Sequence, residues 1–539
     1  MVGTGMSGAQ SGGPVLVVGA GPTGLFAAIE LLRRGVAVRL VDRLAEPPHW
    51  SQAIFVKQRT LEILTGLGLM ERFAARGQPI RGVRFFSGGR EVAAYDFEAI
   101  DSPCRDILSI PESETIAILI ERLHELGGRI EHGTSFIGLE QDADGVTATL
   151  ERAGVRSTVR VPFLVGADGY RSAVREAIGD AYDGTDYAEL WGVFDTGLVN
   201  WTRPRDTVCA QLETPLVLPF PLGADRWRIY FRPDAPGDAA VAAVLDRLRG
   251  ICPDVAFEAP EAPQYFHSHS RLARAFHIGR VFLAGDAAHA SNPIQGHGMN
   301  AGIQDAHNLG WKLAAAVRGH ATGALLATYD AERRDVDRQV VASGEEAYGW
   351  MTDASGEKIA ALYEFLRTPE GQALAAIAET ELDYCYAESP FIRDLRDAQA
   401  DALQKVGARV CDVDGLLHGG AATTLHTLLA DPAPTVLLLA GEAAHASDAD
   451  VSAIEALLAP FDGVRLLTVV SGEAPAQSGV VADVGGDLHA RFGASEPMLC
   501  VVRPDGHVSL FCRCATPQAL VDHLGAMFRP KPARPGTAT

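Results

Sequence analysis

The run Pro14-Val15-Leu16-Val17-Val18-Gly19-Ala20-Gly21-Pro22-Thr23-Gly24 carries an apolar, β-branched strand into the spacing G-x-G-x-x-G. A buried parallel strand has that composition. Gly21–Arg34 continues at helical spacing, and Gly35 stands where a helix would stop. Val36–Asp42 (VAVRLVD) is a second strand, so the segment reads as a βαβ unit. Gly19 permits the tight turn, Gly21 lets a pyrophosphate reach the backbone, and Gly24 lets helix and strand pack closely. The helix start offers free N–H groups and a positive dipole end to phosphates. Asp42, closing the second strand, is placed to accept hydrogen bonds from a ribose diol. The unit predicts dinucleotide binding. Glycines at plain turns share the spacing, and the motif alone does not separate FAD from NAD.

Two further stretches bear on that choice. Phe163-Leu164-Val165-Gly166-Ala167-Asp168-Gly169 runs a strand into a turn and then a helix. Taken alone, it also fits a helix start capped by Asp168. Arg280–Ala284 is a strand of buried type, followed by Gly285-Asp286-Ala287-Ala288-His289 and then Pro293 and Gly296-His297-Gly298-Met299-Asn300. A long helix is expected from about 299 to 318. Asp286 is suited to bind a polyol such as ribityl. The backbone of Gly298–Asn300, at that helix start, is suited to stabilise negative charge on a flavin ring.

In order and spacing, the three stretches resemble the class A FAD-dependent aromatic hydroxylases, the group of para-hydroxybenzoate hydroxylase and phenol hydroxylase. The resemblance covers about 1–350 strongly. It implies that Gly19, Gly21 and Gly24 hold the FAD pyrophosphate, Asp42 the adenosine ribose, and Arg43 the adenine region. Asp168 would contribute to FAD, Asp286 would bind ribityl, and Pro293 through Asn300, including Gly298 and Met299, would lie along the flavin ring. Two positions depart from the family: Gln52 stands where Arg is common, and Glu112 where Gln is common. The implied reaction is hydroxylation of a phenolic or other electron-rich aromatic ring by NAD(P)H and O2, through a flavin C4a-hydroperoxide. NADPH and NADH stay open as the transient reductant. The spacing recurs only at Gly3-Thr4-Gly5-Met6-Ser7-Gly8, in the leader and after no strand; no second strand-borne G-x-G-x-x-G exists, as expected where the nicotinamide cofactor has no Rossmann domain of its own.

A phenol needs a base or polar relay near its ring. Pro293, His297 and Tyr230 are the catalytic candidates, with Arg232, His267 and His269 as weaker ones. His289 fits a structural hydrogen bond as well as a site role. Trp191, Trp201 and Trp227 read as core rather than as substrate stackers. Other readings are a related halogenase, a flavin oxidase or reductase, or a non-catalytic flavin-binding assembly protein. The tryptophan pair two residues apart that marks the halogenases is absent.

The predicted fold is α/β plus α+β. It has a disordered leader (1–13), a Rossmann-like FAD-binding domain in two parts (14–179 and 276–400, the second with a helical interface), and an inserted sheet-rich substrate domain (180–275). A thioredoxin-like C-terminal domain follows (401–539), suggested by Arg503-Pro504-Asp505-Gly506 and lacking Cys-x-x-Cys. Gln58–Phe73 reads as helical, Val83–Phe97 as a hairpin, and Arg129–Val165 as a β-meander. The β-runs 435–439, 464–470 and 498–502 mark the last domain.

A net charge of −21 and no Lys/Arg block argue against nucleic acid or anionic membrane. No apolar run is long enough for a span. Scattered cysteines suggest free thiols in the cytoplasm. The expected partners are a small aromatic substrate and O2, with no metal, and with a homodimer as the assembly to test.

Overall fold

Val15–Val18 is buried along its whole length and sits in the middle of a six-stranded sheet. The order across that sheet is 277–278, 281–283, 164–166, 15–18, 38–41 and 130–131. All neighbours are parallel except the edge pair His277–Ile278 and Val281–Leu283. Strands buried on both faces carry apolar residues throughout, which is why the sequence shows runs here instead of alternation. Helices Pro22–Leu32 and Gly298–Val317 pack against each other over this sheet. The computed structural model describes residues 13–48, 53–213, 215–223, 225–352, 355–396, 402–441, 448–472, 477 and 479–531. The expected leader therefore lies almost wholly outside the described residues.

The meander Thr134–Gln141, Val146–Arg152 and Val155–Val161 forms as expected. Its first turn is held by Asp142, whose Oδ1 accepts from the Asp144 N–H at 2.8 Å. The stretch 58–73 is not one helix. It breaks into Gln58–Gly66 and Met70–Arg76, because Gly68 adopts φ +70° between them. The middle of the chain forms a second six-stranded sheet built on the long strand Tyr182–Val199. The hairpin Gly82–Ser87 and Arg90–Asp96 pairs with Thr207–Ala210, a partner more than a hundred residues away. No local pattern predicts that parallel pairing.

The C-terminal sheet has eight strands. Thr435–Leu439 runs parallel to Arg465–Ser471 and antiparallel to Met498–Val502. A hairpin to Val508–Arg513 and the helix Gln518–Met527 complete a thioredoxin-like order. The shorter strands at its edges carry no sequence signal of their own. All eight cysteines are free thiols. Among the described residues, no helix is long and apolar enough to cross a membrane.

A buried ion network fastens this sheet to the helix Gly298–Val317. Arg503 donates to both oxygens of Glu332, at 2.7 and 2.8 Å, and to Asp505. Lys312 Nζ donates to Glu332 at 2.7 Å, and Trp311 Nε1 to Asp505 at 3.1 Å. Burial pushes the Glu332 carboxyl up, but Arg503 and Lys312 outweigh it and hold the pKa well below the ordinary value.

Two buried imidazoles make this unit acid-sensitive. Burial depresses His507 to about 4, against the opposing pull of Asp505, and depresses His523 to about 3, with Arg393 and Arg503 adding to the effect. The unfolded chain binds these protons near pH 6.5, where the native chain does not. Acid therefore favours unfolding, and stability falls from about pH 6.5 down towards the native values. At about pH 5 each imidazole costs ~2 kcal/mol. The melting temperature should fall between about pH 7 and about pH 5, less steeply in His523→Leu. A flat profile in the wild type would contradict this.

Candidate active site

At the C-terminal ends of the parallel strands lies a cavity of about 560 Å³. Gly21, Pro22, Thr23, Ala167, Gly169, Asp286, Pro293, Gly298 and Met299 all line it, so all three glycine-containing stretches meet there. The glycines have separate jobs. Gly19 turns at φ +102°, and a Cβ there would sit 2.2 Å from the Ala167 carbonyl oxygen. A Cβ on Gly24 would sit 1.9 Å from the Gly19 carbonyl oxygen. Nothing lies within 4 Å of a Cβ built on Gly21, whose open side faces the cavity. Thr23 packs against the second glycine loop: a Cβ on Gly285 or Gly302 would meet its Oγ1 at 2.5 or 2.3 Å.

Neither helix that starts at this cavity, Pro22–Leu32 or Gly298–Val317, has a side-chain cap at its N-terminus. Their first N–H groups are the donors that a pyrophosphate and an electron-rich ring require. Asp42 is half-buried and accepts from the N–H groups of Ala20 (2.6 Å) and Leu44 (2.7 Å). That fixes its carboxylate at the end of its strand, beside the glycine turn. Arg43 is exposed next to it. Gln52 lies outside the described residues.

Asp286 opens onto the cavity, and its carbonyl accepts from Tyr182 Oη at 2.9 Å. Surrounding protein raises its carboxyl, with His289 opposing. Behind the loop, Asp305 accepts from the Gly285 N–H (3.0 Å), and its carboxylate lies 2.8 Å from His289 Nε2. Arg333 bridges Asp305 and Asp337 at 2.7 and 3.1 Å. His289, Asp305 and Asp337 form a compact trio with ligand-type geometry, but Arg333 already sits among the carboxylates. The cluster braces the loop, in line with the structural reading of His289.

Asp168, His297 and Asn300, all expected at the flavin, do not line the cavity. Asp168 instead accepts from Ser172 Oγ (2.5 Å) and the Val174 N–H (3.1 Å), capping the short helix Ala173–Ala177. Only its neighbours Ala167 and Gly169 line the space. His297 was expected beside the ring; its Nδ1 lies 2.6 Å from Glu381 Oε1, both groups are buried, and neither lines the cavity. Asn300 is likewise structural. Its Oδ1 accepts from the Lys57 N–H (2.9 Å), and its Nδ2 donates to the carbonyls of Phe55 (2.9 Å) and Gly296 (3.0 Å). Tyr230 and Glu112 do line the cavity. Burial raises the Tyr230 phenol, while Arg228 pulls it down. Of the weaker candidates, Arg232 donates to the Met351 carbonyl, His267 is exposed, and His269 stacks on Tyr170 beside Asp186. Trp191, Trp201 and Trp227 are buried in the apolar cores.

A second cavity of about 320 Å³ adjoins the first, and Phe55, Phe220 and Ile294 line both. Its walls are mostly apolar and aromatic, with Phe85, Tyr95, Phe97 and Trp350 among them. No local pattern points to this cavity, because its walls come from the hairpin 82–96, the middle sheet and the helices after 323.

The residues fit FAD: open glycine backbone, two uncapped helix starts and a carboxylate at the strand end. The sequence matches the FAD binding domain family over residues 13–343. It is 34% identical over 521 residues to 6-methylpretetramide 4-monooxygenase of Streptomyces rimosus, covering 93% of this chain and 91% of that protein. It is 30% identical over 533 residues to pentachlorophenol 4-monooxygenase of Sphingobium chlorophenolicum, covering 95% and 96%. Among solved structures, the ternary complex of aklavinone-11 hydroxylase with FAD and aklavinone matches with a TM-score of 0.76 at 26% identity, covering 96% of this chain and 99% of that one. On these grounds the chain belongs to the FAD-binding family of aromatic monooxygenases, and its cofactor is FAD.

Proposed function

We propose that this enzyme hydroxylates a polycyclic phenol in the apolar cavity, with NAD(P)H and O2 as co-substrates. The observation that carries the proposal is the wall shared by the two cavities at Phe55, Phe220 and Ile294. An aromatic substrate in the second cavity would lie against whatever fills the first. Bound FAD supplies electron transfer from the nicotinamide and activation of O2. The chain's own residues bind, orient and shield. Gly19, Gly21 and Gly24 give backbone to the pyrophosphate, and Asp42 accepts from the ribose. Asp286 takes the ribityl hydroxyls. The N–H groups at the start of the helix at Gly298 would meet the ring, with Pro293 and Met299 lining the same space. Tyr230 offers a hydroxyl to the same space. His297 acts through Glu381, as a positioning residue. Aromatic walls hold a planar substrate and keep water away from the reacting atoms.

In this reading the middle sheet carries substrate contacts, and the thioredoxin-like unit packs against the flavin helix without thiol chemistry. Eight free thiols support a reducing, cytoplasmic setting. The relatives named above act on rings of different size, so size is the property to test. NAD(P)H consumption should be measured with pentachlorophenol, anhydrotetracycline and aklavinone, with peroxide followed in parallel. Each extra fused ring buries enough apolar surface to favour the polycyclic compounds by about tenfold in kcat/KM. Equal stimulation by all three, or full recovery of reducing equivalents as peroxide, would contradict the proposal.

A further inference from the structure

Two carboxylates line the apolar cavity, Glu346 and Glu379. Glu346 is exposed. Glu379, which ends the helix Pro369–Ala378, is anchored: its Oε2 lies 2.9 Å from Lys57 Nζ. The Lys57 side chain is fully buried, and that of Glu379 is 21% exposed. Lys57 is tied in turn to the flavin loop, through its N–H and the Asn300 side chain. The residues after Glu379 are fastened to the helix Gln58–Gly66, to His297 and to the helix Gly298–Val317. The Thr380 carbonyl accepts from the Arg59 N–H at 3.2 Å. Glu381, at φ +59°, pairs with His297 and accepts from Gln304 Nε2 at 2.5 Å. A left-handed backbone at a buried glutamate is costly, and it is held there by these bonds. The whole segment holds the Glu379 carboxylate at a fixed place in a mostly apolar chamber, where the second carboxylate, Glu346, is exposed.

We propose that Glu379 is a catalytic residue that takes the hydroxyl proton of the phenolic substrate, with Lys57 as the counter-cation. This rests on the reading that the apolar cavity receives the substrate. The phenolic O–H bond breaks, its electron pair stays on the oxygen, and the proton forms an O–H bond on the carboxylate. Lys57, buried behind Glu379, stays the nearest cation as the negative charge passes from the carboxylate to the phenolate oxygen. The phenolate ring is richer in electrons and better suited to electrophilic hydroxylation. The carboxyl returns its proton to that oxygen after the ring has been hydroxylated. Tyr95 lines the same chamber within the electrostatic reach of Glu379.

The test uses the FAD-loaded enzyme and two probes, anthraquinone and 2-hydroxyanthraquinone, which differ by one phenolic hydroxyl and whose neutral and anionic forms are told apart by colour. A phenol that donates to a carboxylate has its electron density drawn towards that of the anion, so the bound hydroxy probe's absorption band should be displaced to longer wavelength in the wild type, at a pH where the free probe is neutral. In the double variant Lys57→Met/Glu379→Gln, which removes both charges together, the displacement should vanish. The preference for the hydroxy probe should fall about tenfold, while anthraquinone binds within about threefold of wild type. Identical spectra and preferences in the two proteins would overturn the proposal. If the double variant holds no flavin, Glu379→Asp keeps the ion pair but shortens the carboxylate. It should weaken the hydroxyl preference severalfold with anthraquinone binding unchanged, and an unchanged preference would overturn the proposal. If neither probe binds wild-type enzyme, the substrate reading of the cavity fails, and the role of Glu379 fails with it.

Discussion

Gly24→Val is expected to purify without flavin and to regain none when FAD is added. The valine Cβ would sit 1.9 Å from the Gly19 carbonyl oxygen and 3.3 Å from the Ala167 Cβ. The first of these neighbours is backbone and cannot rotate away. Relief requires the helix Pro22–Leu32 to lift from its strand, and that lift moves every N–H the pyrophosphate would use. Overpacking of this kind costs about 3 kcal/mol or more, at least ~100-fold in affinity. The check is the ratio of flavin to protein absorbance, with far-UV circular dichroism to separate lost binding from lost fold. Gly21→Ala is the informative contrast. It meets no protein atom within 4 Å, so it should leave the fold intact and weaken only the ligand. A yellow Gly24→Val protein at full stoichiometry would contradict the packing argument.

Arg503→Leu is expected to destabilise the enzyme severely at a distance from the flavin. Lys312, Glu332, Arg503 and Asp505 are all buried, and two positive charges balance two negative ones. Removing Arg503 leaves Glu332 and Asp505 sharing a single cation. Breaking a buried pair on one side costs about 3–5 kcal/mol, which lowers the melting temperature of a chain of this length by about 4 °C. Arg503→Lys should recover only part of this, because a point charge cannot serve both carboxylates as the guanidinium fork does. The consequence reaches the active site through one element: Trp311 and Lys312 belong to the helix whose first residues, Gly298 and Met299, line the flavin cavity. A shift below about 2 °C in differential scanning fluorimetry would show that the network is dispensable.

How much of this was readable in the sequence depended on the range over which each feature is determined. The strand ends were legible because each glycine sits within a few residues of the strand and helix it joins. Gly19–Gly24, Ala167–Gly169 and Gly285–Asp286 each announce a turn locally, and the cavity is where those turns meet. Local chemistry also explains Asp168, whose capping bonds lie within six residues and compete with any ligand role. The pairing of His297 was not legible, because its partner Glu381 is 84 positions away. Lys57 and Glu379 are 322 positions apart, and neither stands in a motif. The substrate cavity was illegible for the same reason: the hairpin 82–96 reaches it only by pairing with 207–210. The short edge strands of the C-terminal sheet, Arg393–Asp394 and Ala421–Thr423, are largely exposed and are set by pairing with their neighbours and not by their own pattern. The break at Gly68 was a missed local signal, since a glycine between two apolar turns is a stop as readily as a spacer.

The central claim is that the strand ends of one parallel sheet, with two uncapped helix starts, wrap a single FAD. Its most direct test is titration of flavin-stripped protein with FAD, followed by tryptophan quenching and the visible spectrum. Saturation at one FAD per chain, with Asp286→Ala weakening binding by about 10–100-fold, is the predicted result. Protein that stays colourless through the titration, or that binds equally well without the Asp286 carboxylate, would contradict it.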